Sequence, residues 1–97
     1  MCEYTKVEGK EICDIKVYAL STCIWCKKAK TFLESNNIAY SFIFVDLQPK
    51  EDQDKIEDML EEHTSIISYP IIISDKCDPI IGYNKDKLEE LIGTKDE

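Results

Sequence analysis

The chain has 97 residues, 43% hydrophobic and 33% charged, with 20 acidic residues against 12 basic ones and a net charge of −8. That length is read as one domain with one core and no room for a second. Every basic residue is a lysine, so the chain lacks both the basic footprint of nucleic-acid binding and a bidentate guanidinium clamp for phosphate or carboxylate. The acidic charge is spread over exposed helix positions and is read as a source of solubility rather than of steering. Glu3, Lys6, Glu8, Lys10, Glu11 and Asp14 interrupt the first stretch, and the longest apolar run elsewhere is Tyr69 to Ile73. Neither a signal peptide nor a membrane helix can be placed, which predicts a soluble, cytoplasmic protein without membrane contact.

Taken in order, residues 1–11 are polar with a turn signal at Glu8-Gly9-Lys10, and could add a short edge strand around Thr5 to Val7. From Ile12 to Ala19, Ile12, Cys13, Ile15, Val17 and Ala19 alternate with Asp14, Lys16 and Tyr18, the period of a half-buried strand. Ser21 or Thr22 then stands where a helix cap is needed, and Trp25, Ala29, Phe32 and Leu33 recur at helical spacing until Asn36-Asn37. A second strand covers Tyr40 to Asp46. Pro49 and the acids behind it open a second helix with the stripe Ile56, Met59, Leu60 and His63. Ile71-Ile72-Ile73 and Ile80-Ile81 form a hairpin across Ser74 to Pro79, and Asn84 caps a last helix carrying Leu88, Leu91 and Ile92 before Gly93.

Five cysteines, at 2, 13, 23, 26 and 77, are an odd number, and without an export signal reduced thiols are the default. Cys13 falls on the inward side of its strand and reads as a small core residue, while Cys2 and Cys77 fall in a tail and a loop. His63 reads as a packed residue or a partner of the helix C-terminus. Cys23-Ile24-Trp25-Cys26 is different, because it stands where strand gives way to helix. Cysteines three apart on a first helical turn share a face, and the unpaired amides there favour a thiolate. That spacing alone is open between redox chemistry, zinc and an iron-sulfur site. A tetrahedral zinc would need two further ligands, and no second Cys-x-x-Cys supplies them.

The order β-α-β-α-β-β-α is the thioredoxin-type arrangement, and over residues 12–92 the chain resembles the glutaredoxins. Three features carry the likeness: Cys23-Ile24-Trp25-Cys26 between the first strand and helix, Ser68-Tyr69-Pro70 before the third strand, and Ile81-Gly82-Tyr83 leading into the last helix. The resemblance implies an α/β fold with a four-stranded mixed sheet and three flanking helices, plus the possible N-terminal edge strand. It implies a cis Tyr69-Pro70 bond, where an isolated proline opening a strand would be trans. It also implies a disulfide-reducing enzyme or electron carrier in which Cys23 is the nucleophile and Cys26 the resolving thiol. Trp25, Tyr69, Pro70, Gly82 and Tyr83 would then contact substrate.

Departures from the family pattern bear on the reductant. Ile24 replaces the proline of many members, Leu20 stands where glutathione-using members often carry lysine, and Gly82-Tyr83 replaces a Gly-Gly turn. The run through Asn84-Lys85-Asp86 looks more like the NrdH redoxins, which take electrons from a protein reductase. The expectation is a monomer with protein disulfides as substrates, a protein reductase as donor, and no cofactor or metal, with glutathione the less favoured reductant. An iron-sulfur or zinc protein using Cys23 and Cys26, or a non-catalytic module on the same fold, is the alternative.

Overall fold

The computed structural model describes residues 4–75 and 78–93. Cys2 and Cys77, read above as incidental thiols, lie outside them. The strands are β1 (Thr5–Val7), β2 (Ile15–Ala19), β3 (Tyr40–Phe44), β4 (Ile71–Ser74) and β5 (Ile80–Ile81); the helices are α1 (Ile24–Ser35), α2 (Lys50–His63) and α3 (Lys85–Ile92). They form one five-stranded sheet in the order β1-β3-β2-β4-β5. β2 and β3 run parallel with α1 between them, while β1 on β3, β4 on β2 and β5 on β4 are antiparallel. The fold is therefore the thioredoxin-like arrangement, with the N-terminal strand a full member of the sheet.

The sheet is covered on both faces. On one side Ile15, Val17 and Ala19 of β2 pack with Cys26, Ala29 and Leu33 of α1 and Leu88, Leu91 and Ile92 of α3. On the other, Tyr18 and Ile43 meet Ile56 and Leu60 of α2. The alternation in β2 thus separates two cores rather than core from solvent. Tyr18, read from the sequence as outward, is buried, and its hydroxyl is 2.9 Å from that of Tyr4. Similarly the buried seam of α1 is Cys26, Ala29 and Leu33, while Trp25 is 52% exposed. His63 ends α2 exposed to solvent rather than packed.

Element ends are set by local hydrogen bonds. Ile12 and Cys13 fall in a bend before β2, with Cys13 half-buried against the core. Asp14 is held there because its amide donates to Asp75 Oδ1 at 3.0 Å and its carbonyl accepts from the Asp75 amide at 3.3 Å. After α1, Asn37 takes a φ of 58°, a left-handed conformation that asparagine tolerates. Lys10 then bonds across to both Asn37 O and the Ala39 amide, at 2.7 and 2.9 Å.

This crossing leaves no room for a side chain at Gly9. A Cβ there would lie 2.8 Å from Ala39 N and Ile38 C and 2.9 Å from Asn37 O, all backbone atoms. Gly9→Ala is expected to destabilise the fold by about 1–3 kcal/mol, read as a lower urea midpoint. A midpoint equal to that of the exposed Glu8→Ala control would show that the close approach is not made in solution.

Candidate active site at the start of α1

α1 begins where β2 leaves the sheet, and Cys23 is its N-cap. Sequence spacing had put Ser21 or Thr22 in that role. Instead the Cys23 sulfur accepts a hydrogen bond from the Cys26 amide at 3.4 Å, doing what a cap hydroxyl does with a softer acceptor. Ser21 is engaged elsewhere: its amide donates to Asp46 Oδ1 at 2.8 Å and its hydroxyl to Asp46 Oδ2 at 2.6 Å. Asp46 sits in a one-turn 3-10 helix, Val45–Leu47, that ends the predicted second strand early. Hydrogen bonding from Ser21 outweighs burial and lowers the Asp46 pKa, keeping it a carboxylate. The clamp ties the loop before Cys23 to the end of the neighbouring parallel strand.

The two cysteines share a turn but not an environment. Cys23 is half-buried, whereas Cys26 is 1% exposed and belongs to the core seam of α1. Burial works against the Cys23 thiolate, but the Cys26 thiol and the amides of Cys26 and Trp25 all favour it, and the net effect is a lowered pKa. Burial dominates at Cys26 and pushes its thiol up to about 12. The Leu20 amide opposes this with a 3.4 Å bond to Cys26 Sγ, while Cys23 and Asp46 add to the rise. Both thiols are free.

This asymmetry has a direct reading in alkylation rates. Since only the thiolate reacts, the Cys23 rate with iodoacetamide should level off below the ordinary thiol value of 9.0 and fall about tenfold per pH unit beneath its own pKa. Cys26 should stay unlabelled through pH 9 and become reactive only as the pH approaches about 12. Peptide mapping separates these sites from Cys13, and faster labelling of Cys26 than of Cys23 at pH 7 would reverse the assignment.

The remaining candidates fall into two groups beside the sulfurs. Trp25 stacks on Tyr83, ring centroids 6.0 Å apart and planes 26° from parallel, and Lys28 Nζ sits 4.8 Å from the centroid of the Trp25 ring. Gly82 precedes Tyr83, and its φ of 76° turns the chain out of β5, a conformation costly for other residues. Its amide donates to Pro70 O at 2.7 Å. The Tyr69-Pro70 bond is cis, as the resemblance implied, and Pro70 is buried. Because Tyr18 pairs with Ile71, Ala19 and Pro70 leave the sheet at the same end, that of Cys23. Tyr69 packs against both cores, and among the described residues its buried hydroxyl has no hydrogen-bond partner. Burial, then the charges of Glu57 and Cys26, raise its pKa.

Sequence reasoning missed Asp46 and its bond to Ser21. Nothing in the spacing of two polar residues 25 apart announces the pair; it exists only because β2 and β3 are parallel neighbours. Among the described residues, no group of three or more His, Cys, Asp or Glu side chains stands together in a way that could hold a metal ion.

A Cys-x-x-Cys at the start of the first helix, with a cis-proline strand end beside it, defines a thioredoxin-like protein with a dithiol site. The sequence model of the glutaredoxin family matches residues 15–76, and the chain belongs to that family. A glutaredoxin-like 8.6 kDa protein of the Clostridium pasteurianum rubredoxin operon, itself uncharacterized, is 38% identical over 80 residues, which are 80% of this chain and 96% of that one. Methanosarcina acetivorans methanoredoxin has a similar structure, with 29% identity, a TM-score of 0.82, and coverage of 88% of this chain and 90% of that one. The glutaredoxin-like NrdH-redoxin of Escherichia coli shares the fold at 20% identity and a TM-score of 0.65, over 80% of this chain and 93% of its own. Family and fold support thiol-disulfide oxidoreductase chemistry in general.

Proposed function

We propose that the protein reduces protein disulfides, cycling between a Cys23/Cys26 dithiol and a Cys23-Cys26 disulfide. The observation that carries this is the division of labour between the sulfurs: one exposed enough to attack and biased toward thiolate, one buried and held protonated a turn behind it. The Cys23 thiolate attacks one sulfur of the substrate disulfide and the other leaves as a thiolate. Cys23 is then neutral, so the charge and hydrogen bond that help hold the Cys26 proton are gone. Cys26 loses that proton to the departing thiolate and attacks Cys23 Sγ. The intramolecular disulfide closes and the second substrate sulfur leaves, two electrons having passed to the substrate.

Trp25 and Tyr83 supply a flat apolar contact, and the chain around Tyr69, Pro70 and Gly82 a backbone edge for an extended segment. Within the described residues Cys23 and Cys26 are two donors short of a tetrahedral zinc site, which favours redox use over a structural metal. Leu20 and Tyr83 favour a protein reductase over glutathione as donor, and the protein works as a cytoplasmic monomeric carrier without a cofactor.

The test is to oxidise the protein and ask which donor restores thiols that then reduce insulin: a thioredoxin-reductase-type enzyme, a ferredoxin-linked reductase, or glutathione. Recycling by either protein reductase at least about tenfold faster than by glutathione is expected. Efficient glutathione recycling would overturn the donor assignment, and failure to reduce insulin after chemical reduction would overturn the activity.

A further inference from the structure

Along α1, beginning at the residue after Cys23, lies a groove of about 390 Å³ lined by residues that include Ile24, Lys27, Lys28, Phe32, Tyr83 and Lys85. Its lining combines apolar side chains with three lysines and the hydroxyls of Thr31 and Ser35. No acid occupies the first turn of α1, and the ion pairs among the described residues are Lys6 with Glu11, Lys16 with Asp14, and Lys50 with Asp54. None of Lys27, Lys28 or Lys85 is neutralised there. The chain's excess of acid lies elsewhere: α2 alone carries Glu51, Asp52, Asp54, Glu57, Asp58, Glu61 and Glu62, and it covers the opposite face of the sheet. On the face of α1 and α3 the acids are fewer, Glu34 on α1 and Asp86, Glu89 and Glu90 on α3, and α1 carries Lys27, Lys28 and Lys30, so the local excess of lysine lies along the helix that Cys23 caps.

We propose that this groove receives an acidic segment of the substrate protein next to its disulfide, so that the enzyme selects cystines by neighbouring negative charge. The inference rests on the oxidoreductase reading and adds the substrate class. A carboxylate-bearing segment lying along α1 would meet Lys27, Lys28 and Lys85 while Ile24, Phe32 and Tyr83 take its apolar side chains. Its cystine would then face Cys23 at the head of the same helix. Opposed charges of this kind raise encounter rates more than they deepen affinity, and salt removes the gain.

The test uses synthetic peptides with one intramolecular disulfide followed by glutamates, lysines or serines, reduced by the dithiol protein under single-turnover conditions. At low ionic strength the glutamate peptide should react about tenfold faster than the lysine peptide, and about 0.5 M salt should erase the difference. In Lys27→Glu/Lys85→Glu the order should invert relative to the serine peptide, whereas Lys55→Glu on α2 should keep the original preference. Equal rates, or a preference that survives in the double variant, overturn the inference and leave the oxidoreductase reading standing. Reduction of none of the peptides overturns both. Salt-sensitive self-association abolished by the double variant would assign the groove to α2 of a second copy and overturn the substrate assignment.

Discussion

Cys23→Ser is expected to lower disulfide reduction on the order of 10³-fold or more, with no covalent adduct formed, whereas Cys26→Ser should accumulate a mixed disulfide between Cys23 and substrate. The difference follows from position. Cys23 caps α1, is half exposed and has a thiolate supported by the amides of Trp25 and Cys26. A serine hydroxyl could still cap the helix there, so the fold survives while the nucleophile is lost. Cys26 is buried, and that burial, the main cause of its raised pKa, persists when Cys23 is gone, so it lacks the access to begin the exchange. In Cys26→Ser the first attack is intact and the second impossible, which leaves substrate attached. Intact-mass measurement after mixing with an oxidised peptide distinguishes the two. Equal adduct formation by both variants would mean that the sulfurs are interchangeable.

Much of this arrangement is legible in the sequence because it rests on local rules. The order of elements, the helix start at Pro49, the Asn84 cap and the Gly93 stop are each written in a few adjacent residues, and the structure places them accordingly. Cys23-Ile24-Trp25-Cys26 and Tyr69-Pro70 are short motifs of the same kind. What escaped depends on which elements become neighbours. Tyr18 looks like an outward residue until α2 covers its face and Tyr4 meets its hydroxyl. Ser21 looks like a cap until the parallel pairing of β2 and β3 brings Asp46 to it and leaves the capping to Cys23. Trp25 fits the helical period of a core stripe whose Ala29 and Leu33 are indeed buried, yet in the first turn the core position is Cys26, one residue later, so the Trp25 ring is turned outward against Tyr83. A shift of one residue rotates a helix face by about 100°, enough to exchange a core residue for a contact surface.

That seam also makes the strongest claim on stability. Leu33 is 0% exposed and sits in the core cluster with Cys26 and Ala29 of its own helix, Val17 and Ala19 of β2 and Leu91 of α3. Removing its branched end leaves a cavity bounded by a central strand and two helices, which cannot all move inward at once, and Leu→Ala at such sites costs about 2–5 kcal/mol. Against a total stability of about 5–15 kcal/mol, Leu33→Ala should lower Tm by roughly 10 °C or more, given about 4–8 °C per kcal/mol for a chain of this size. Ile24, on the same helix but 63% exposed, offers the comparison: Ile24→Ala should change stability by about 0.5 kcal/mol or less. Urea and thermal midpoints of the reduced proteins measure both. Similar losses at the two positions would mean that α1 is not clamped to the sheet along Cys26, Ala29 and Leu33. The burial that holds the Cys26 proton would then lose its structural basis as well.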